Sequence, residues 1–274
     1  MARFAPVSLL ACMALSSCMF FAPGTGNPAS GPTPVVLENP VFADSEQMEL
    51  PALREGENVL RYSAYVSSYN TETLIPDWVA YELLPEELEG DADRNDHVFS
   101  MDMTRRNMRQ AKREDYRDSG WSKGHMAPAA DFRWDSDVMG ESFLFVNCCP
   151  QNEYLNRKDW EYLERQVRRW AEEFGKVWVV TGPIIGDNVY GTIGDDEVVI
   201  PDAFFKAVLV SSGGKYHSIA FVMGNDSSRY YLRDCSMSVN ALEEETGIDF
   251  FPALDDAVED KVEDEVRLVF WGIK

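Results

Sequence analysis

From residue 176 to residue 223 the chain is a succession of strand-like runs separated by breakers, and this pattern constrains the fold most. Residues 176–181, 197–200, 204–210 and 216–223 are rich in β-branched and aromatic residues, with Gly182-Pro183 and Ser211 to Gly214 as interruptions. Residues 58–67 read as another strand, and so do 78–84 after the turn signal Ile75-Pro76-Asp77. Residues 143–146 are a short apolar run consistent with a buried strand. Helical spacing places Trp160, Leu163, Val167, Trp170 and Ala171 on one face of a helix over 158–174, stopped by Gly175. A shorter helix is expected over 239–245, capped by Ser236 or Ser238 and stopped near Gly247. Strands with few helices predict an α+β domain around a largely antiparallel central sheet.

Charge at first argues against a polyanionic partner, because 25 Lys and Arg face 47 Asp and Glu for a net charge of -22. The distribution is uneven. Arg105, Arg106, Arg109, Lys112, Arg113, Arg117 and Lys123 crowd one segment, and Arg157, Lys158, Arg165, Arg168 and Arg169 another. Acid is concentrated at 243–245 and 255–265. A chain that is acidic overall can present one basic face, although both runs also fit ordinary solvated surfaces.

Residues 1–17 read as a secretory signal: Arg3 supplies the positive end, and 4–15 is apolar but too short to span a bilayer. Leu15-Ser16-Ser17-Cys18 resembles a bacterial lipobox, which implies lipidation of Cys18 and an exported, membrane-anchored lipoprotein on the periplasmic or cell-surface side. Cys12 fits the same pattern but leaves a shorter apolar region. Residues 18–49, rich in Gly, Pro, Ala, Ser and Thr over much of their length, are expected to be a tether, with the folded domain over 50–274. Cys148, Cys149 and Cys235 then permit one disulfide, Cys235 pairing with either neighbour, and one free thiol.

Two segments carry the chemistry. One is Ser122-Lys123-Gly124-His125-Met126-Ala127-Pro128, in which glycine and proline flank a histidine. The other is Asn147-Cys148-Cys149-Pro150-Gln151, followed by Leu155-Asn156-Arg157-Lys158-Asp159-Trp160 and by Leu163-Glu164. Together they resemble the signature of the DNA/RNA non-specific endonucleases, which share a ββα-metal finger active site. The likeness continues through Pro76 to Leu83, Val179 to Pro183, Ile200 to Lys206, and Ser238 to Pro252.

The resemblance implies sequence-independent hydrolysis of DNA and RNA phosphodiesters. His125 matches the general base, Asn156 the ligand of a divalent metal, Mg²⁺ first and Mn²⁺ as the alternative, and Glu164 a group that holds metal-bound water. Lys123, Arg157 and Arg168 are candidate substrate contacts, Arg168 pairing with Glu164 or with phosphate. Arg94 is the nearest candidate for the phosphate-clamping arginine, with His97 in competition. If one helix begins near Asn156, Glu164 lies about two turns on and shares its face. Ser122-Lys123 departs from the family's Asp-Arg, removing a carboxylate and exchanging a bidentate guanidinium for a point charge. That departure and the acidity leave a second expectation open, a catalytically impaired nucleic-acid-binding or scaffold lipoprotein. A thiol-dependent enzyme using Cys148 or Cys149 is a third.

Overall fold

The computed structural model describes residues 47–274. The expected signal, the expected lipobox at Cys18 and most of the expected tether lie outside them. Side-chain burial begins slightly earlier than residue 50, because Met48 is buried against the cluster containing Val66, Trp78 and Ala80.

Seven strands form the central sheet, in the order β1 (Val59–Arg61), β2 (Val66–Asn70), β3 (Ile75–Leu83), β6 (Val177–Ile184), β9 (Ala203–Ser212), β10 (Lys215–Gly224), β11 (Ser236–Met237). Every pairing in it is antiparallel. Two hairpins stand apart, β4 (Ser122–His125) with β5 (Cys148–Gln151) and β7 (Thr192–Ile193) with β8 (Val198–Val199). The helices are α1 (Ser136–Ser142), α2 (Glu153–Arg157), α3 (Asp159–Phe174), α4 (Leu232–Cys235), α5 (Val239–Thr246) and α6 (Asp256–Asp264). The α+β expectation holds.

Each sheet face has its own apolar layer, as alternation along the strands requires. Val79, Tyr81, Val179 and Val208 face one cluster with the buried stripe of α3, and the segments holding Met126, Ala127, Cys148 and Cys149 pack on that side. Trp78, Ala80, Val180 and Ala207 face the other, under α5 and the loop around Phe250 and Phe251. Ser238 caps α5, its Oγ accepting from Ala241 N at 3.2 Å, which decides between the two serines.

Several expected elements are redrawn. Residues 58–67 are not one strand but the hairpin β1–β2, closed where Tyr62 N donates to Tyr65 O at 2.9 Å. The strand β6 runs through Gly182-Pro183 rather than stopping there. A Cβ at Gly182 would lie 2.6 Å from Asp77 O, so glycine permits a close crossing. Pro183 lies beyond the last β3 pair, Val79 with Thr181, where no ladder bond is needed on that side. Residues 197–200 contribute only β8, outside the central sheet. Residues 143–146 end in a helical turn, Phe145–Asn147, because Asn147 turns its side chain back onto Ala127 and Ser142. The acidic 255–265 run contains α6, which the sequence reading left unassigned.

Candidate active site

The hairpin β4–β5 and the helix α2 follow in space as strand, strand, helix. Register pairs His125 with Cys148, Gly124 with Cys149, Lys123 with Pro150 and Ser122 with Gln151. Gly124 is required by a close approach: a Cβ there would meet Gln151 Oε1 at 2.3 Å and Gln151 Cβ at 2.7 Å. Beyond His125, Asn147 clamps the turn. Its Oδ1 accepts from Ala127 N at 2.9 Å, and its Nδ2 donates to Ala127 O at 2.8 Å and to Ser142 O at 2.9 Å. The histidine thus stands between a glycine crossed by an amide side chain and a loop tied down by an asparagine.

The imidazole is walled by aromatic rings, with Phe99 at 4.6 Å and Phe143 at 4.7 Å between centroids, the latter edge-on. Its Nε2 is sealed from solvent and has no hydrogen-bond partner. Loss of water depresses the basicity of His125 to about 3, and the positive charge of Arg94 adds to that. The ring is therefore neutral at physiological pH. Arg94 is exposed in the turn Arg94–Asp96, near enough for its charge to act on the ring. His97 packs on the other side of Phe143, its ring tilted at 5.6 Å between centroids, with Ser136 Oγ 3.3 Å from Nε2.

Behind this wall lies a charged cluster. Asp131 is fully buried, pairs with Arg168 Nη1 at 2.8 Å and accepts from Tyr81 Oη at 3.1 Å. Glu164 belongs to the same cluster: burial raises its carboxyl, the charge of Lys206 opposes the rise, and Asp131 adds to it. Lys206 is fully buried, its Nζ 5.0 Å from the Trp160 ring centre and without a hydrogen bond. Burial lowers its ammonium, while Glu164 and Asp131 hold it up. Sequence reasoning missed Asp131, Lys206 and Asn147 as positioning groups. The signal in the sequence was Lys206, a lone cation inside the apolar run 204–210.

Three expectations change. Asn156 and Glu164 do not share one helix, because Lys158 leaves helical geometry (φ -125, ψ -86) and separates α2 from α3. Arg168 pairs through Nη1 with Asp131 rather than with Glu164, and its side chain is 18% exposed. Among the described residues no disulfide forms: Cys148, Cys149 and Cys235 are all free. Cys148 faces Tyr116, with Sγ 3.6 Å from Oη, and burial pushes its thiol up to about 12. Although register sets Cys148 opposite His125, no thiolate is available there, and the thiol-enzyme expectation fails.

The remaining candidates are open to solvent to different degrees. Lys123 is half-buried, its Nζ 5.4 Å from the Tyr116 ring centre. Arg157 is exposed and only loosely paired with Glu153 at 3.2 Å. Asn156 is half-buried, its backbone N–H donating to Asn152 O at 2.9 Å and its side-chain amide outside the helix's own bonding. Among the described residues no three His, Cys, Asp or Glu side chains converge as a metal-binding set. The donor chemistry therefore fits a hard divalent ion held by one neutral amide oxygen with water and phosphate oxygens, not a closed thiolate or imidazole site.

The profile of the DNA/RNA non-specific endonucleases matches residues 45–257. The chain belongs to that family. It is 36% identical over 207 residues to the mitochondrial nuclease EXOG of Danio rerio, covering 70% of this chain and 60% of that protein. Against mitochondrial endonuclease G of Homo sapiens the identity is 32% over 201 residues, covering 69% and 68%. A nuclease of Syncephalastrum racemosum is 30% identical over 265 residues, covering 86% and 83%. The chain spans about three fifths of the length of the EXOG relatives it matches. A chain in the crystal structure of the EndoG/EndoGI complex aligns with a TM-score of 0.71 at 29% identity, covering 79% of this chain and 95% of that one. Endonucleases of this family depend on divalent metals in general.

Proposed function

We propose that this chain hydrolyses phosphodiester bonds in DNA and RNA without sequence preference, leaving 5′-phosphate ends, with His125 as general base. The observation that carries the reading is a neutral imidazole fixed at the end of the β4–β5 hairpin, with α2, which bears the Asn156 amide, packed against β4. His125 accepts the proton of the attacking water at Nδ1, the ring nitrogen that is not sealed off. Arg94, Lys123 and Arg157 bind phosphate, and Glu164 orients water at the metal side from the first half of α3. When a divalent ion, Mg²⁺ first and Mn²⁺ as the alternative, is held at Asn156, it neutralises charge on the phosphate and on the leaving 3′ oxygen. Contacts confined to phosphates position a strand without reading its bases.

Purified protein is expected to degrade plasmid and RNA with Mg²⁺ and to stop when a chelator is added. A His125→Ala chain that cuts as fast as the parent refutes this assignment. We also propose that Cys18 is lipidated after export and anchors the protein to a membrane surface; mass spectrometry of the amino-terminal peptide, finding an unmodified Cys18 in mature protein, would refute that.

A further inference from the structure

An open groove of about 690 Å³ runs outside α2 and α3, from Arg157 and Lys158 past Tyr162 to the segment bearing Arg229, Tyr231 and Arg233. A second depression of about 420 Å³ shares Arg157 and Lys158 with it and reaches Gly120 and Asn152, at the foot of β4 and the start of α2. The groove is therefore continuous with the proposed catalytic unit. Its lining holds six Lys or Arg against two Asp or Glu, in a chain where acids outnumber bases 47 to 25. Both acids are engaged: Asp159 accepts from Tyr230 N at 2.8 Å, and Glu161 pairs with Arg165 at 2.5 Å. Lys158, Arg229 and Arg233 enter none of the ion pairs among the described residues.

Two exposed aromatic rings stand among these cations. Tyr162 is 44% and Tyr231 56% exposed, with Arg165 at 5.8 Å and Arg229 at 5.0 Å from the respective ring centres. A solvated helix face explains the Glu161 and Arg165 pair on α3. It does not explain why a distant segment of the chain, after β10, brings two more guanidinium groups and an exposed ring to the same groove.

We propose that this groove is a polynucleotide subsite that holds a single-stranded stretch of substrate away from the scissile phosphate. Lys158, Arg229 and Arg233 contact phosphates, and Tyr162 and Tyr231 are platforms for unpaired bases. The proposal rests on the nuclease reading for its substrate, and it deepens that reading by giving the strand a path. A single strand is the occupant because rings exposed beside guanidinium groups can stack on bases that a duplex keeps stacked internally.

The test uses the full chain and a fluorescent 20-nucleotide DNA single strand, with binding read by anisotropy in chelator at several salt concentrations. For the triple variant Arg229→Ala, Tyr231→Ala, Arg233→Ala, Kd is expected to rise at least about tenfold, with a shallower salt dependence because two phosphate contacts are gone. All three side chains are exposed, and an unchanged melting temperature shows that the fold is kept. Tyr231→Ala alone weakens binding about tenfold with the parental salt slope, as lost stacking does. With Mg²⁺, the ratio of kcat/KM on the 20-mer to that on a dinucleotide falls about tenfold in the triple variant. A triple variant that binds the strand like the parent overturns the subsite. So does equal displacement of the strand by poly-glutamate, with no effect of Tyr231→Ala, which would mark the groove as a face for an acidic protein. A parent that cleaves neither substrate refutes the nuclease reading, and the chelator arm still decides the subsite.

Discussion

His125 and Glu164 are both ionisable side chains in water-poor surroundings on the same side of the sheet, yet their surroundings differ in kind. His125 is pressed against Phe99 and Phe143, and the only charge that perturbs it noticeably is the like charge of Arg94. Glu164 shares its space with Lys206, Arg168 and Asp131. Removing water without adding a counter-charge keeps a base neutral, which is the form that accepts a proton. Removing water while adding cations opposes the protonation that burial would otherwise impose on a carboxyl, which is the form that orients water. The outcomes differ: the apolar wall leaves His125 neutral, whereas at Glu164 the cations offset burial only in part and the carboxyl still rises to about 7.

The largest effect should come from deleting the base. His125→Ala is expected to lower kcat by about 10³-fold, within the usual range for a positioned general base, with KM for DNA little changed. A loss confined to KM would move His125 from proton transfer to binding and break the comparison at its first term.

Deleting the anion of the second wall acts on the fold instead. Asp131→Ala leaves Arg168 and Lys206 with less compensating charge in the interior, and a chain destabilised by about 3–5 kcal/mol is expected in urea unfolding. Arg168→Met, which removes one cation and keeps the stem's packing, should cost less stability than Asp131→Ala. If Asp131→Ala unfolds at the parental urea concentration, the cluster is not held by its charges.

A smaller effect separates apolar from charged walls by pH. Because His125 is depressed to about 3, its ring stays neutral in the folded chain down to that value while an unfolded imidazole gains a proton near 6.5. The stability due to the neutral ring is thus present above about 6.5 and lost as pH falls toward 3. The acidic limb of kcat/KM should lie below the ordinary imidazole value. Phe99→Ala, which admits water to the ring, should move that limb upward by about one unit. A parental limb centred on the ordinary value would show that the aromatic wall does not set the base.

Much of this was legible in the chain. The face of α3 was readable because five apolar residues repeat at helical spacing, and the order of His125, Asn156 and Glu164 was readable from motifs. The break at Lys158 was not, since an isolated non-helical residue inside a good periodic pattern leaves no mark in periodicity. Nor was the Asp131 and Arg168 pair, which joins residues far apart in sequence and contradicts the local expectation that Arg168 meets Glu164 one turn back. The turn at Phe145–Asn147 was hidden for a similar reason: the apolar run records burial, while Asn147 decides the backbone by bonding across to Ala127. The cysteines show the limit of reading by compartment, because Cys148, Cys149 and Cys235 are free where export permitted one disulfide, and Cys148 is buried against Tyr116.

Glu263 on α6 extends the comparison to the far side of the sheet, as a buried carboxyl perturbed chiefly by burial and like charges. It is 2% exposed, its Oε1 bonds to nothing, and its charged neighbours are Glu243, Glu259, Asp249 and Asp260. Burial first, and then these like charges, push it up to about 9. With the folded value raised, the stability it contributes is complete below the unfolded value of about 4.3 and is lost as pH rises toward about 9. Glu263→Gln removes the ionisation and keeps the shape. Its melting temperature should exceed the parent's near pH 8 and match it near pH 4. Equal melting curves at both pH values would mean that burial and like charges do not hold Glu263 protonated in the folded chain.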